Sequence, residues 1–251
     1  MNVLVTSGGT TEKIDSVRSI TNTSSGRLGA AIADAFGDIG GVSEVFYICG
    51  KTAALPMTHK AKITRVGGVV ELEDVIRKTI AANDISAVAH CMAVSDYTVK
   101  TVTTARRAAE FVTAGAEKNA GGVHSAIEQA FDGACALEHR GKIGSNEETL
   151  LLVLKPTNKI IALFKELAPL AKLVGFKLLD APTEDELLDA ARRLLVENNC
   201  DYVLANDAKN MSRTRHIGYL IDRTARLARY DSKEGIALGI AERIAADLGI
   251  E

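Results

Sequence analysis

The sequence has no tryptophan, and aromatic residues make up only 4% of its 251 positions. Any core must therefore be aliphatic, which suits strands buried on both faces better than an aromatic-rich sandwich. A charge excess is missing too, since 30 Lys and Arg stand against 32 Asp and Glu for a net charge of −2. Nucleic-acid binding normally needs a clear positive excess, so no nucleic-acid partner is expected, and any phosphate-bearing ligand must meet local donors. No apolar run approaches membrane-spanning length, so no membrane association is expected either. The four cysteines (Cys49, Cys91, Cys135 and Cys200) lie at least 42 residues apart, without a CxxC pair or metal-ligand spacing. They read as isolated thiols in a reducing compartment. With no basic head or cleavage site at the N-terminus, a cytoplasmic protein is expected. The sequence also lacks GxGxxG and GxxxxGK[ST], which removes the common dinucleotide fingerprint and the Walker loop.

What is present is regular alternation. Asn2–Ser7 is a β-branched run stopped by Gly8-Gly9, and reads as a first strand. A polar loop leads to Ser24-Ser25-Gly26, after which Leu28, Ile32, Ala35 and Phe36 recur at helical spacing until Gly40-Gly41. Ser43–Ile48, Lys62–Val66 and Ile85–His90 read as strands, with a helix over Glu71–Ala82. Thr98–Arg140 is rich in Ala, Thr and Gly with little strand signal, although Ala105–Phe111 and Ser125–Ala134 have helical character. The order then resumes. Strands are expected at Thr149–Leu154, Lys172–Lys177 and Asp201–Ala205, helices at Asn158–Leu167 and Glu184–Glu197. A hairpin of Ile217–Asp222 with Ala225–Tyr230 and a helix from about Lys233 to Leu248 close the chain. This alternation predicts an α/β fold, Rossmann-like and doubly wound with a mostly parallel sheet. One domain over residues 1–251 is expected, with an inserted arm or lid at about 98–141.

In such sheets ligands bind beyond the carboxyl ends of the strands. That rule selects Gly8–Gly29, His90–Tyr97, Gly175–Lys177 and Ala205–Ala208. The first is a loop far longer than the usual two to six residues, a length that is usually functional. Gly26 lets an anion approach the N–H groups opening a helix, while Ser24 and Ser25 can cap those donors or add hydroxyl contacts. Arg18 can hold a carboxylate or phosphate, or pair with Glu12 or Asp15. Asn22 offers a donor and an acceptor. Asp96 can accept from a sugar hydroxyl, a base amine or a hydrated metal, or cap the following turn. Cys91 is not expected to act as a nucleophile, because no basic group is visibly arranged to lower its pKa.

The run GGTTEKIDSVRSITNTSSGRLGAAIA closely resembles the opening of the phosphopantothenate–cysteine ligases (phosphopantothenoylcysteine synthetases) of coenzyme A biosynthesis. His90–Tyr97 resembles that family's strand ending AxVxDY, Gly141-Lys142-Ile143 its KI motif, and Thr157–Ile160 its nucleotide-contacting turn. Val174-Gly175-Phe176 and Ala205-Asn206-Asp207 resemble its VGF and AND strands, all in family order. The resemblance implies a ligase that joins 4′-phosphopantothenate to L-cysteine. An acyl-nucleotidyl intermediate would be formed from CTP or ATP with Mg²⁺, releasing pyrophosphate. It implies a homodimer and a stand-alone bacterial type, since the chain begins at the ligase strand. Lys142 would offset charge at the transferred phosphate, and Asn22 would hold the acyl group while cysteine attacks. His90, Cys91, Met92, Asp96, Thr157, Asn158, Lys159, Ile160 and Phe176 would meet the nucleotide, with Lys142. Gly8, Gly9, Arg18, Ser24, Ser25 and Gly26 would form the phosphate and substrate loop. No metal ligand is identified. Three features depart from the family pattern. Leu194 and Asn198 stand where nucleotide-facing lysines are usual, with Arg192 and Arg193 nearby; the Thr157 turn lacks the usual Asp; and 44 residues lie between Tyr97 and Lys142. A Rossmann-type NAD(P)-dependent oxidoreductase is the alternative enzyme class, opposed by the missing GxGxxG, and an inactive nucleotide-binding module is a third.

Overall fold

The structure, a computed structural model, describes residues 1–116, 122–137, 141–144, 149–180, 183–210, 216–224 and 227–250. In chain order the elements are β1 (Asn2–Ser7), β2 (Thr11–Lys13), β3 (Ser19–Thr21), α1 (Arg27–Asp38), β4 (Glu44–Gly50), β5 (Ala61–Val66), α2 (Val69–Ala82) and β6 (Ile85–His90). There follow β7 (Tyr97–Thr104), α3 (Ala105–Ala116), α4 (Gly122–Gln129) with a π-helical turn at Ala130–Ala134, β8 (Leu150–Pro156), α5 (Ile160–Leu167) and β9 (Lys172–Leu179). The chain continues with α6 (Glu184–Glu197), β10 (Tyr202–Asp207), β11 (Gly218–Asp222), β12 (Leu227–Tyr230) and α7 (Lys233–Asp247). Arg140 and Ala225, expected to end an insert and to begin a strand, lie outside the described residues.

The chain separates into two compact units. The first comprises Met1–Thr10, Asn22–Val94 and Lys159–Glu251; the second comprises Thr11–Thr21 and Ser95–Asn158. The first unit holds an eight-stranded sheet in the order β12-β11-β10-β9-β6-β1-β4-β5. β5 to β10 pair in parallel, and β11 and β12 add antiparallel. Counted by appearance, the six parallel strands run 3-2-1-4-5-6, with the order reversing between β1 and β6. At that reversal the connections leave in opposite directions and a crevice opens.

The sheet is covered on both faces, so its strands must be apolar on both. In β1, Leu4 joins the core with α2, α5 and α6, while Val3 and Val5 join the core with α1 and α7. β10 alternates likewise, with Val203 and Ala205 on one side and Tyr202 and Leu204 on the other. The largest fully buried side chains, Tyr47, Phe36 and Phe164, fill these two layers. α6 and α7 each open with a side-chain cap: Thr183 accepts from Glu186 N–H and Ser232 from Gly235 N–H.

The second unit corrects two expectations. Tyr97–Thr104, which from Thr98 onward lies inside the stretch read as having little strand signal, is an eight-residue strand. Its partner is β8, antiparallel, with a register shift between Val99 and Thr101. The segment expected at Thr149–Leu154 is thus a strand, but it joins a two-stranded sheet and not the parallel one. The sequence YTVKTVTT is β-branched at most positions, which favours the pleated backbone. That local signal is diluted when the whole Ala- and Gly-rich stretch is averaged. Part of the loop expected after β1 is also ordered, as the short antiparallel pair β2 and β3.

Candidate functional site

In the first unit a cavity of about 290 Å³ lies at the carboxyl ends of the parallel strands. One wall is the entry to α1, Thr23 to Gly29; another is Cys91, Met92 and Ala93 after β6. Phe176 and Leu178 of β9, Asn206 of β10, His216 and Lys233 complete it. The switch point of the sheet is therefore where the cavity forms.

The entry to α1 is shaped for close approach. Gly26, the N-cap, has φ 71°, in the left-handed region that favours glycine. Gly29 sits so near β1 that a Cβ would meet Ser7 Oγ at 2.2 Å. No side chain caps the first turn of α1 and no acidic residue occupies it. The expected capping by Ser24 or Ser25 is thus not observed. Uncapped N–H groups at the positive end of a 12-residue helix are suited to a phosphate or carboxylate. Lys233, at the start of α7, contributes a cation to the same cavity.

The other walls set polarity. Burial pushes the Cys91 thiol up to about 12, so it is no nucleophile at neutral pH. Asn206 donates from Nδ2 to the Ile217 carbonyl at 2.8 Å, which fixes its rotamer. His216 is 4% exposed, and its Nδ1 has no hydrogen-bond partner among the described residues. Burial, then the Lys233 charge, lowers its pKa, so the imidazole is neutral at pH 7.

Of the residues expected from sequence, Ser24, Ser25, Gly26, Cys91, Met92 and Phe176 line this cavity. Gly8 and Gly9 do not; they fit the chain leaving β1 against Ala53 and the Asn22 carbonyl. His90 turns inward, with Nδ1 2.7 Å from Thr6 Oγ1 and its ring 5.0 Å from that of Phe164. Ile160 is a core residue at 3% exposure, and Lys159 is the N-cap of α5. Asn22 donates from Nδ2 to the Val94 carbonyl at 3.0 Å, and its own N–H donates to Thr10 O. Leu194 packs against the core and Asn198 caps the end of α6, so neither replaces a nucleotide-facing lysine. Arg192 pairs with Asp189 at 2.8 Å.

Arg18, Asp96, Lys142, Thr157 and Asn158 belong to the second unit. Thr157 donates from Oγ1 to Ser95 O at 2.6 Å and from its N–H to Asp96 O at 3.0 Å, closing the chain between β8 and β7. Asp96 and Lys142 are exposed. Arg18 makes the ion pair with Asp15 that the sequence left open, at 2.7 Å. Among the described residues no three His, Cys, Asp or Glu gather into a metal-holding group. Mg²⁺ needs no such cage where phosphates supply its ligands.

Sequence reasoning selected the segment holding Asn206 without giving that residue a role, and missed Leu178, His216 and Lys233 as cavity residues. Asn206 stands in the AND strand and Lys233 opens the last helix, so position at a strand or helix end was the available signal. His216 carried none.

The family model for the DNA/pantothenate metabolism flavoprotein C-terminal domain matches residues 1–120 and 101–248. The chain belongs to this family. The coenzyme A biosynthesis bifunctional protein CoaBC of Thermococcus kodakarensis is 32% identical over 244 residues, covering 96% of this chain and 49% of that protein. The chain thus spans about half the length of this curated relative. Among solved structures, the DNA/pantothenate metabolism flavoprotein from Streptococcus pneumoniae is 37% identical, with a TM-score of 0.80 covering 98% of this chain and 99% of that one. A Cab2 mutant in complex with phosphopantothenate-cysteine shares the fold at 18% identity and a TM-score of 0.66, covering 99% of this chain and 88% of that one. Within the family's frame, the cavity sits where doubly wound folds bind their ligands. No helix among the described residues is long and apolar enough to cross a membrane.

Proposed function

We propose that this chain is a phosphopantothenate–cysteine ligase, joining 4′-phosphopantothenate and L-cysteine through an acyl-nucleotidyl intermediate made from CTP or ATP. The observation that carries the reading is the convergence of four separate sequence motifs on one cavity of the first unit. The SSG helix entry, the strand end after His90, the VGF strand and the AND strand all contribute walls to it. Family membership and the coenzyme A biosynthesis relatives support the same reading.

The residues meet the needs of the reaction. The open N-terminus of α1 and Lys233 receive phosphate oxygens, and Phe176, Met92 and Leu178 offer an apolar surface for the base. Attack of a carboxylate on an α-phosphate brings two anions together, so a fixed positive charge must offset the repulsion. Lys142 supplies it. Mg²⁺, when bound with the nucleotide, would supply further offset of phosphate charge. Asn22, its amide fixed by Val94 O, orients the activated acyl group toward the cysteine amine. A homodimer in the cytoplasm belongs to the same proposal, and the four free cysteines suit a reducing compartment.

The test is pyrophosphate release from purified protein given 4′-phosphopantothenate, L-cysteine and Mg²⁺ with CTP, and in parallel with ATP. Release that depends on phosphopantothenate is expected with at least one nucleotide. None with either would end the ligase reading.

A further inference from the structure

Neither Asp15 nor Arg18 has a role in the chemistry proposed above, yet both are committed to one short stretch of the second unit. On the turn between β2 and β3, Asp15 Oδ1 accepts from the backbone N–H of Val17 at 2.8 Å and of Arg18 at 2.7 Å. Its Oδ2 accepts from Arg18 Nε at 3.0 Å and Nη2 at 2.7 Å. The same two side chains take hold of a peptide 128 residues away from Asp15. Ile143 N–H donates to Asp15 Oδ2 at 3.1 Å, and Arg18 Nη2 donates to the Ile143 carbonyl at 2.8 Å. Both backbone polar groups of Ile143 are held, and its side chain is 4% exposed. Lys142 stands exposed immediately before this anchored residue.

We propose that Asp15 and Arg18 are positioning residues for Lys142, clamping the adjoining peptide so that its ammonium group is delivered from a fixed backbone. The inference rests on the ligase reading, in which Lys142 acts on the transferred phosphate. A lysine is a point charge on a flexible stem, and a mobile backbone beneath it would add a second ordering cost to each turnover. The guanidinium fork is what allows one residue to hold a carboxylate and a carbonyl together. Backbone N–H groups of Arg18 and Val17, then the Arg18 guanidinium and Ile143 N–H, hold the Asp15 carboxyl far below the usual carboxylate range despite its burial. The clamp is therefore charged throughout the neutral range. It also assigns Arg18 to the protein, not to a bound phosphate.

The test pairs hydrogen exchange at the Ile143 amide, which needs no substrate, with pyrophosphate release using CTP or ATP. Asp15→Ala should speed exchange of that amide about tenfold to a hundredfold, the share of one charge-assisted backbone bond. Its kcat should fall at least about tenfold while KM for the nucleotide holds within about threefold, as for a group needed only in the transition state. Arg18→Lys, which keeps the charge and loses the fork, should shift both readouts in the same direction. Asp15→Asn serves if the alanine variant does not fold. Adding Asp15→Ala to Lys142→Gln should cost nothing further, because the two act as one unit. Unchanged exchange at Ile143, or a fully additive loss in the double variant, overturns the proposal. If the native protein releases no pyrophosphate, the ligase reading has failed and the inference falls with it. If the native protein is active and Lys142→Gln is not, but Asp15→Ala turns over at the native rate, the clamp alone has failed.

Discussion

The two units of this chain are held together by different physics. The first is a sheet sandwiched between two helical layers, each filled by side chains with no access to solvent, such as Phe36, Tyr47 and Phe164. The second has a small core of Ala108, Ala130 and Cys135 with Leu151, Phe111 and Val112 packed beside it. A two-stranded sheet is marginal alone, and here it is supported by specific polar contacts. Thr103 Oγ1 donates to Cys135 O at 2.6 Å, Thr98 Oγ1 to Glu12 Oε2 at 2.6 Å, and the Asp15 and Arg18 clamp secures Ile143. Apolar volume determines the shape of the first unit, and directional bonds determine much of the second.

The comparison breaks most readily at its apolar end. Phe36→Ala in the first unit should cost about 3–5 kcal/mol, whereas Leu151→Ala in the second should cost less than half of that. Denaturant unfolding of both variants measures the difference, and equal losses would remove the distinction. Function should divide the other way. Lys142→Gln should lower pyrophosphate release about a hundredfold to a thousandfold, the scale of losing one preorganised charge, while leaving Tm unchanged. A Tm that falls with activity would give Lys142 a structural part instead. Asn22→Asp, in the first unit, should still release pyrophosphate but form product about a hundredfold more slowly, a positioning loss. Quenched-flow detection of the acyl-nucleotidyl species reads it directly.

Acid should act first on the first unit. Burial lowers the His90 pKa from 6.5 to about 4. A group with a depressed folded pKa that must stay neutral stabilises the fold fully above 6.5, and the contribution is lost as pH falls toward 4. Between pH 7 and pH 5 the loss is on the order of 2 kcal/mol, and His90→Gln should flatten that slope in urea titrations. The smallest effect is local. Ser232→Ala removes the cap of α7 and should cost about 1 kcal/mol.

What could be read from sequence follows the same division. β1, α1, β6, α6 and α7 were legible because they bury apolar residues at a period of 2 or 3.6, and a buried face leaves that trace in any chain. β7 was not, since Thr and Val in YTVKTVTT were averaged with the Ala-rich helices after them, and its partner comes more than 40 residues later. β2 and β3 have three residues each, too few for a period. Within the cavity, residues embedded in a motif were found, as Ser24–Gly26 and Phe176 show. Asp15 was seen only as a candidate partner for Arg18. Its bond to Ile143 depends on the fold of the second unit, and no local pattern encodes a contact over that separation.

The desolvated thiol of Cys91 on the cavity wall has a consequence for thiol traffic. A cavity proposed to serve free cysteine is a place where disulfide exchange would be harmful, since a mixed disulfide on its wall would block it. Desolvation pushes its pKa up, so Cys91 is overwhelmingly the thiol at pH 7. Exchange proceeds through the thiolate, so the wall of this cavity is slow to react with oxidised cysteine that enters it. The same desolvation that keeps Cys91 out of the chemistry slows its exchange with the disulfide form of the proposed substrate.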